Sequence, residues 1–293
     1  MTQTRFAAEA GDFRPIAATD LPVGLPAGSG AYPLSTSGGT LTYTGPFACG
    51  RLVYISATQV RFIPYAGDLI KIGGVVYPIP AAGVNGSNAG LAVSTLYYVY
   101  IYNNAGTLTL EFSSTGHVTD STAGNVGIEV KSGDSSRSLV GMIYADVAAH
   151  FQDVVQFRGV ASWFNRQLRQ LQQGFPNTST TSVNNVYADL RAGNTLLGVT
   201  WADDAISLFW TGQLLVSAGS NNGGVAIFVD SLSTNVQAQY ILTTVTWFPT
   251  TMPTVFGTNE ALHSFGISGF ANAVAAAATL SVINQNMFGV LRI

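Results

Sequence analysis

The sequence predicts a mainly β protein with an extended N-terminal arm, an antiparallel β domain carrying a short helix, and a C-terminal jelly-roll-like β-sandwich. Three observations carry that prediction. Short runs rich in Val, Ile, Thr, Tyr and Phe recur along the chain, punctuated by Gly, Asn, Ser and Pro. Only 9% of the 293 residues are Asp, Glu, Lys or Arg, well below the roughly one quarter usual for soluble domains. One segment, residues 151–175, departs from strand-like alternation and spaces its apolar residues as a helix does.

Residues 1–45 read as the arm. Pro15, Pro22, Pro26 and Pro33 each bias the preceding residue away from helix, and no periodic apolar pattern runs between them. A segment without a core of its own either stays loose or lies along a partner, and both readings stand. In the second, Arg14, Pro15, Leu21 and Pro22 are the docking residues.

Residues 46–150 read as a β domain. "RLVYISATQVRFIPYAGDLIKIGGVVYPIP" contains several β-branched runs broken at 64–67 and at Gly73-Gly74, and "VNGSNAG" reads as a turn-rich connection. "TLYYVYIYNNAGTLTLEFSS" is the clearest hairpin, two alternating runs joined by Asn103-Asn104-Ala105-Gly106. "LVGMIYAD" closes this sheet.

The helix follows. Phe157, Val160, Phe164, Leu168 and Leu171 are spaced three, four, four and three apart, a single helical stripe, and Gly174-Phe175-Pro176 ends it. The stripe is too short for a free coiled coil. It fits either a collar shared by three chains or a helix packed on its own sheet. Trp163 beside Arg166 reads as a packing anchor with a snorkelled cation, and Asn165, Arg166 and Arg169 are available to pair across chains.

Residues 176–293 form the head. After the polar linker "PNTSTTSVNN", strand-like runs recur with turns such as Ser220-Asn221-Asn222-Gly223-Gly224, which points to an antiparallel sandwich. Its charges are few, with Arg191 and Arg292 against Asp189, Asp203, Asp204, Asp230 and Glu260.

Composition also narrows the partners. With no Lys/Arg cluster and a net charge of −3, nucleic acid is not an expected partner. The single cysteine, Cys49, excludes an internal disulfide and reads as a small buried apolar residue. The opening "MTQTRFAAEAGDF" is not read as a signal peptide, and the apolar window 265–283 is too interrupted by Gly, Ser and Asn for insertion into a membrane. A folded chain with so little charge is expected to bury surface between subunits.

In "LVGMIYAD…FQDVVQFRGVASWFNRQ" the chain resembles the fibre and receptor-binding proteins of tailed bacteriophages. The upstream "YYVYIYNNAGTLTLEFS" hairpin and the opening "RPIAATDLP" resemble parts of the same proteins, loosely over residues 1–170 and most closely over 138–167. The resemblance implies a homotrimeric virion structural protein, assembled in the host cytoplasm. It would be mounted on other virion proteins, of tail or capsid, by its N-terminus, with the head outward. Attachment to host-surface polysaccharide follows, and a capsid decoration or head-fibre role is the alternative.

Catalytic motifs are lacking. His117, His150 and His263 have no zinc-ligand spacing, no phosphate-binding glycine loop occurs, and no cofactor is expected. His263, Ser264 and Asp230 are the residue types of a triad, but strand neighbours point to opposite faces. A glycan depolymerase would need two opposed carboxylates, for which Asp230 and Glu260 remain. No enzyme is expected. For glycan binding, aromatic faces with amides and carboxylates are the appropriate groups, and the candidates are Trp201, Asp203, Asp204, Trp210, Asn221, Asn222 and Trp247. Against this stand the alternatives of core packing for each tryptophan and a hairpin turn for Asn221-Asn222.

Overall fold

The computed structural model describes residues 49–182, 186–191, 193–217, 220–230, 236–242, 248–257, 259–273 and 278–293, and the backbone of four short strands before residue 49. Of residues 179–182, 220–221, 236–242, 248, 250, 256, 273 and 278 only the backbone is described. All regular structure among the described residues is β, and no helix is present to cross a membrane.

Within the arm, β1 (Phe6–Ala8) pairs with β2 (Asp12–Arg14), and β3 (Leu34–Ser37) pairs with β4 (Thr40–Tyr43). Both hairpins sit where the prolines do not, so no ladder hydrogen bond is lost. Arg14 ends β2 opposite Phe6, while Pro15, Leu21 and Pro22 lie outside the described residues.

The next unit begins with β5 (Gly50–Ser56), β6 (Gln59–Pro64), β7 (Leu69–Ile72), β8 (Val75–Pro78) and β9 (Val84–Ser87). Strands β5, β6 and β9 form one small sheet and β7–β8 a hairpin, turned by Gly73 and Gly74 at φ of 57° and 82°. The stretch expected as a turn, "VNGS", is β9. Gly86 permits this, because a Cβ there would lie 2.6 Å from the Phe112 ring that packs on the strand.

The larger sheet contains β10 (Thr95–Asn104), β11 (Thr107–Ser113), β12 (His117–Thr119), β13 (Glu129–Lys131) and β14 (Asp134–Ala145), in the order β11-β10-β14-β13-β12. The predicted hairpin is β10–β11. Asn104 faces Thr107 across a two-residue turn in which Ala105 and Gly106 both have positive φ. Strand β14 is central, and both its faces are covered. Val140 and Ile143 join Val99, Ile101, Leu52, Val60 and Phe62 in one core, while Leu139 and Met142 join Tyr100 and the sandwich in another. That is why "LVGMIY" is continuously apolar rather than alternating. At Gly141 the chain comes so close that a Cβ would lie 2.5 Å from Leu52 and 2.6 Å from the Ala161 carbonyl oxygen.

The predicted helix over 151–175 does not form. The chain instead makes β15 (Asp153–Val154), β16 (Phe157–Arg158), β17 (Val160–Ser162) and β18 (Leu168–Phe175). The apolar spacing misled for a physical reason. A separation of four residues returns to the same side of a strand as surely as it does on a helix. Here the five residues are spread over β16, β17, the turn at Asn165 (φ of 52°) and β18, and the separation of three within β18 puts Leu168 and Leu171 on opposite faces. Phe157, Val160 and Leu171 are buried, Phe164 is half-buried, and Leu168 is 74% exposed, so the five make no common face. Pairing of all eight β18 residues with the last strand overrides the helical preference of "LRQLQQ".

The rest of the chain adds β19 (Thr178–Ser182), β20 (Ala188–Asp189), β21 (Leu196–Thr200), β22 (Ala205–Val216), β23 (Ser220–Val229), β24 (Val236–Leu242), β25 (Phe248–Gly257), β26 (Ala261–Ala273) and β27 (Ala278–Arg292). Two sheets face each other. One runs β15-β16-β21-β26-β23-β24, with β20 beside β26, and the other runs β18-β27-β22-β25, with β19 beside β27. The pairs are antiparallel except β16–β21. The expected β-sandwich is present, filled by side chains such as Leu208, Trp210, Ile227, Phe265, Ile267 and Met287. The turn expected at 220–224 is instead the start of β23, with the register slipping at Asn221 as a bulge against β26.

The strand assignment of residues 168–175 is open to test by urea unfolding. Leu171→Ala is expected to cost about 2–5 kcal/mol, as for other buried leucines. Leu168→Ala should change stability by no more than about 0.5 kcal/mol. Equal losses at both positions would restore a common apolar stripe.

Candidate functional site

The chain brings its densest group of polar and aromatic side chains to the seam between the β10–β14 sheet and the sandwich. β12 places His117 beside β13, where Nδ1 lies 2.5 Å from Oε2 of Glu129. On the other side Nε2 lies 3.1 Å from Oε1 of Glu260, which belongs to the turn leading into β26. Thr119 donates to the remaining oxygen of Glu129. The edges and faces around the imidazole are aromatic, with Tyr98, Trp163 and Trp201 centred 5.6, 5.5 and 6.3 Å away. Hydrogen bonding to Glu260 and then to Glu129 raises the His117 pKa above its ordinary value, against the opposing effect of burial.

Next to the histidine, Trp163 and Trp201 meet edge to face at 4.9 Å, and the Arg166 guanidinium stacks over both rings. Arg166 also donates to Asp203 at 2.6 Å and to Asp204 at 3.1 Å. Trp163 and Arg166 do pack together, but the cation is not snorkelled, since the Arg166 side chain is 6% exposed and held by Asp203 and Asp204. The cross-chain reading of Arg166 is replaced by these contacts within the chain, and Asn165 donates to the Gly50 carbonyl. Asp204 is buried whereas Asp203 is 64% exposed at its side chain. Burial pushes the Asp204 carboxyl upward, against the pull of Arg166. Protonation of Asp204 thus favours the folded chain, a contribution that grows as pH falls through the folded-state value.

Of the residues expected to bind glycan, those whose side chains are described do not assemble into a surface. Trp201 is 1% exposed and donates its indole N–H to the Ser162 carbonyl at 3.1 Å. Trp210 is fully buried in the sandwich, its ring lying where a Cβ on Gly212 would otherwise be. Core packing therefore replaces glycan contact for both, since neither ring has a free face. Asn222 lies in β23 with a buried Oδ1, and of Asn221 only the backbone is described. Trp247 lies outside the described residues.

The two possible hydrolytic arrangements also come apart. His263 Nδ1 meets Asp230 at 2.7 Å, but its Nε2 faces the Asn259 carbonyl, and Arg191 donates to the Ser264 hydroxyl. Asp230 and Glu260 are each engaged by a different histidine. No group of His, Cys, Asp and Glu suited to a metal occurs among the described residues.

Two surface features complete the inventory. The outer face of the β18-β27-β22-β25 sheet aligns Gln172, Phe288, Phe209 and Pro253 in one row and Gln170, Val290, Ser207 and Val255 in the next. Phe209 is 43% and Val255 66% exposed, and the outward positions of these strands from Leu168 to Gly257 carry one charge, Arg292 at the rim. The other feature is a groove of about 610 Å³ between β8, β9 and the β10–β11 turn, lined by Tyr77, Pro78, Asn85, Thr107 and Thr109 among others. Arg61 donates to Asn85 Oδ1 at 2.6 Å, which turns the amide donors of Asn85 away from Arg61.

Sequence reasoning did not single out His117, Glu129 and Glu260 as a group. The strand alternation of "HVT" and "IEV" signals that His117 and Glu129 share a face, but nothing local ties either to a residue beyond position 250. Comparison with known proteins adds little. No protein-family model and no curated protein matches the sequence. Among solved structures, the chain is similar to the C-terminal domain of EclA, a sugar-binding protein, at 14% identity and a TM-score of 0.24, over 49% of this chain and 87% of that one. It is also similar to the infectious bursal disease virus Gx strain structure at 10% identity and 0.27, over 84% and 72%. A third likeness is to the Bacillus thuringiensis δ-endotoxin Cry8Ea1, at 8% and 0.26, over 84% and 52%. Scores this low mark distant β-rich likenesses and carry no functional weight.

At the seam, Arg166→Met should destabilise the chain by about 3–5 kcal/mol at neutral pH, because it strands the buried Asp204 carboxylate. Asp203→Asn should cost no more than about 1 kcal/mol, as for an exposed pair. Adding Asp204→Asn to Arg166→Met should recover part of the loss. Urea midpoints of the three variants check this, and a Met variant as stable as the parent would remove the ion pair from the account.

Proposed function

We propose that this protein is a non-catalytic virion structural protein that self-associates and attaches to host-surface polysaccharide. The observation that carries the reading is the outer face of the β18-β27-β22-β25 sheet. Phe288, Phe209, Pro253, Val290 and Val255 stand there in two adjacent rows, beside Gln170, Gln172 and Ser207, in a chain whose charged residues are unusually few, and one charge occupies the rim. A monomer does not normally leave such a face open. A second copy is the occupant whose chemistry matches: flat, apolar, and fringed by glutamine, threonine and asparagine. Three copies about one axis follow from the resemblance to phage fibres rather than from this face.

The attachment half of the reading moves from the head to the groove. With Trp201 and Trp210 buried, the aromatic that lines the groove is the half-buried Tyr77, beside Asn85, Thr107 and Thr109. Weak binding at one groove becomes useful when several copies engage a surface together. The arm, including Arg14, Pro15, Leu21 and Pro22, remains the segment proposed to join other virion proteins, of tail or capsid.

Sedimentation of the purified chain in dilute buffer is expected to give a trimer, and Phe209→Asp combined with Val255→Lys should shift it to a folded monomer. A wild-type chain that is itself a stable monomer would overturn the reading of the sheet face. For attachment, Tyr77→Ala should reduce retention on immobilised host polysaccharide at least tenfold without changing the sedimentation of the oligomer. Undiminished retention would place recognition elsewhere on the surface.

A further inference from the structure

His117 is the single imidazole held between carboxylates from both sides of the seam. Glu129 belongs to β13, its neighbour in the β10–β14 sheet, and Glu260 belongs to the turn before β26 of the sandwich. A carboxylate only accepts hydrogen bonds, and a neutral imidazole has one N–H to donate. Both contacts are hydrogen bonds at once only when the ring carries two protons. The three side chains are 18, 14 and 20% exposed, enough for water to deliver and remove that proton.

The other groups facing the ring do not supply the missing charge. The Tyr98 hydroxyl is bonded to Glu260, and burial, with Glu260 second, raises its pKa and keeps it neutral. Tyr100 behind it is likewise raised, chiefly by burial. Thr119 donates to Glu129. Arg166 stacks on Trp163 and Trp201 and is committed to Asp203 and Asp204. Lys131, opposite His117 in the β12–β13 ladder, is committed to Glu111, so the groups bonded to the ring are two carboxylates against one imidazolium.

We propose that His117 is a proton-operated fastener: its doubly protonated ring joins Glu129 to Glu260 across the seam, and loss of one proton loosens the sandwich from the β10–β14 sheet. After deprotonation the ring donates to one carboxylate and turns a lone pair toward the other. Two charged oxygens then face each other across an aromatic-walled space without a cation between them. The direction of the pH dependence follows from the raised pKa. The stabilisation is complete below the unfolded-state value of about 6.5 and is lost as pH rises through the higher folded-state value. The seam is firm near pH 6 and loosens as pH rises through the raised folded-state value. This inference does not depend on self-association or on polysaccharide binding.

The neighbouring indoles give a direct readout, because an imidazolium quenches tryptophan emission more strongly than a neutral ring. In the full chain, titrated from pH 6 to pH 10, emission should rise with a midpoint above 6.5. His117→Gln should abolish that transition. Glu260→Gln, which removes one partner and keeps the shape, should move the midpoint toward 6.5. Amide hydrogen exchange, corrected for its intrinsic pH dependence, should accelerate above the wild-type midpoint in both 117–131 and 259–263. In His117→Gln it should be fast throughout. A midpoint at or below 6.5, a midpoint unmoved by Glu260→Gln, or exchange that ignores pH on either side of the seam would each overturn the proposal. Should His117→Gln fail to fold, the wild-type and Glu260→Gln titrations decide the matter alone.

Discussion

The structure turns on one small polar residue. Ser162, 1% exposed at the end of β17, accepts a hydrogen bond from the Leu52 amide through Oγ and donates from the same hydroxyl to the Phe164 carbonyl. Its own carbonyl accepts from the Trp201 indole. Three parts of the chain more than thirty residues apart, the β5 sheet, the β17–β18 crossing and the β21–β22 turn, are thus tied at one point. The bonds from the Leu52 amide and the Trp201 indole are buried, so leaving either unmade would cost a full desolvation penalty. The position of Trp201, and with it the stacking of Arg166 and the burial of Asp204, follows from that knot.

Around it the β10–β14 sheet acts as a wall between two cores rather than as the edge of a separate domain. Tyr100, Leu139 and Met142 belong to the same apolar cluster as Trp210 and Phe265, while Val99 and Val140 belong to the cluster of Phe62 and Ile70. Residues 151–175, which carry the chain from one unit to the other, contribute strands to three different sheets. A segment that spans a sequence boundary in this way is not a flexible joint. Relative motion of the two units has to break side-chain contacts at the seam, which is where the ionisable groups are concentrated.

Much of the fold was legible in the residues. The β10–β11 hairpin was announced by alternation and by Asn-Ala-Gly turn chemistry, and the sandwich by strand-sized runs between turn clusters. The helix was misread because its apolar residues fall on three short strands and a turn, so their spacing reflects no single periodicity, and the β27 partner that decides the matter lies more than a hundred residues away. The continuous run "LVGMIY" did contain the answer to its own burial, since only a strand covered on both faces tolerates it. The candidate site was less legible. Tryptophan and aspartate are proper types for sugar recognition, but whether Trp201 faces water depends on Ser162 and Trp163, which no local pattern connects to it. His117 and Glu260 are 143 residues apart, and each alone looks like an ordinary surface residue.

The pairing of β18 with β27 has a consequence for how this chain acquires its structure. On the side that faces β27, Leu168 to Phe175 must wait for residues 285–292 before their backbone groups are satisfied. Until then β18 is an open edge, and closing so long a loop slows folding. The glutamines at 170, 172 and 173 and the arginine at 169 keep that waiting edge hydrated, whereas a valine-rich strand would seek neighbours of its own kind. The glutamine-rich composition that imitates a helix is thus better understood as protection during synthesis. It keeps a strand soluble while its proper partner is still to be made.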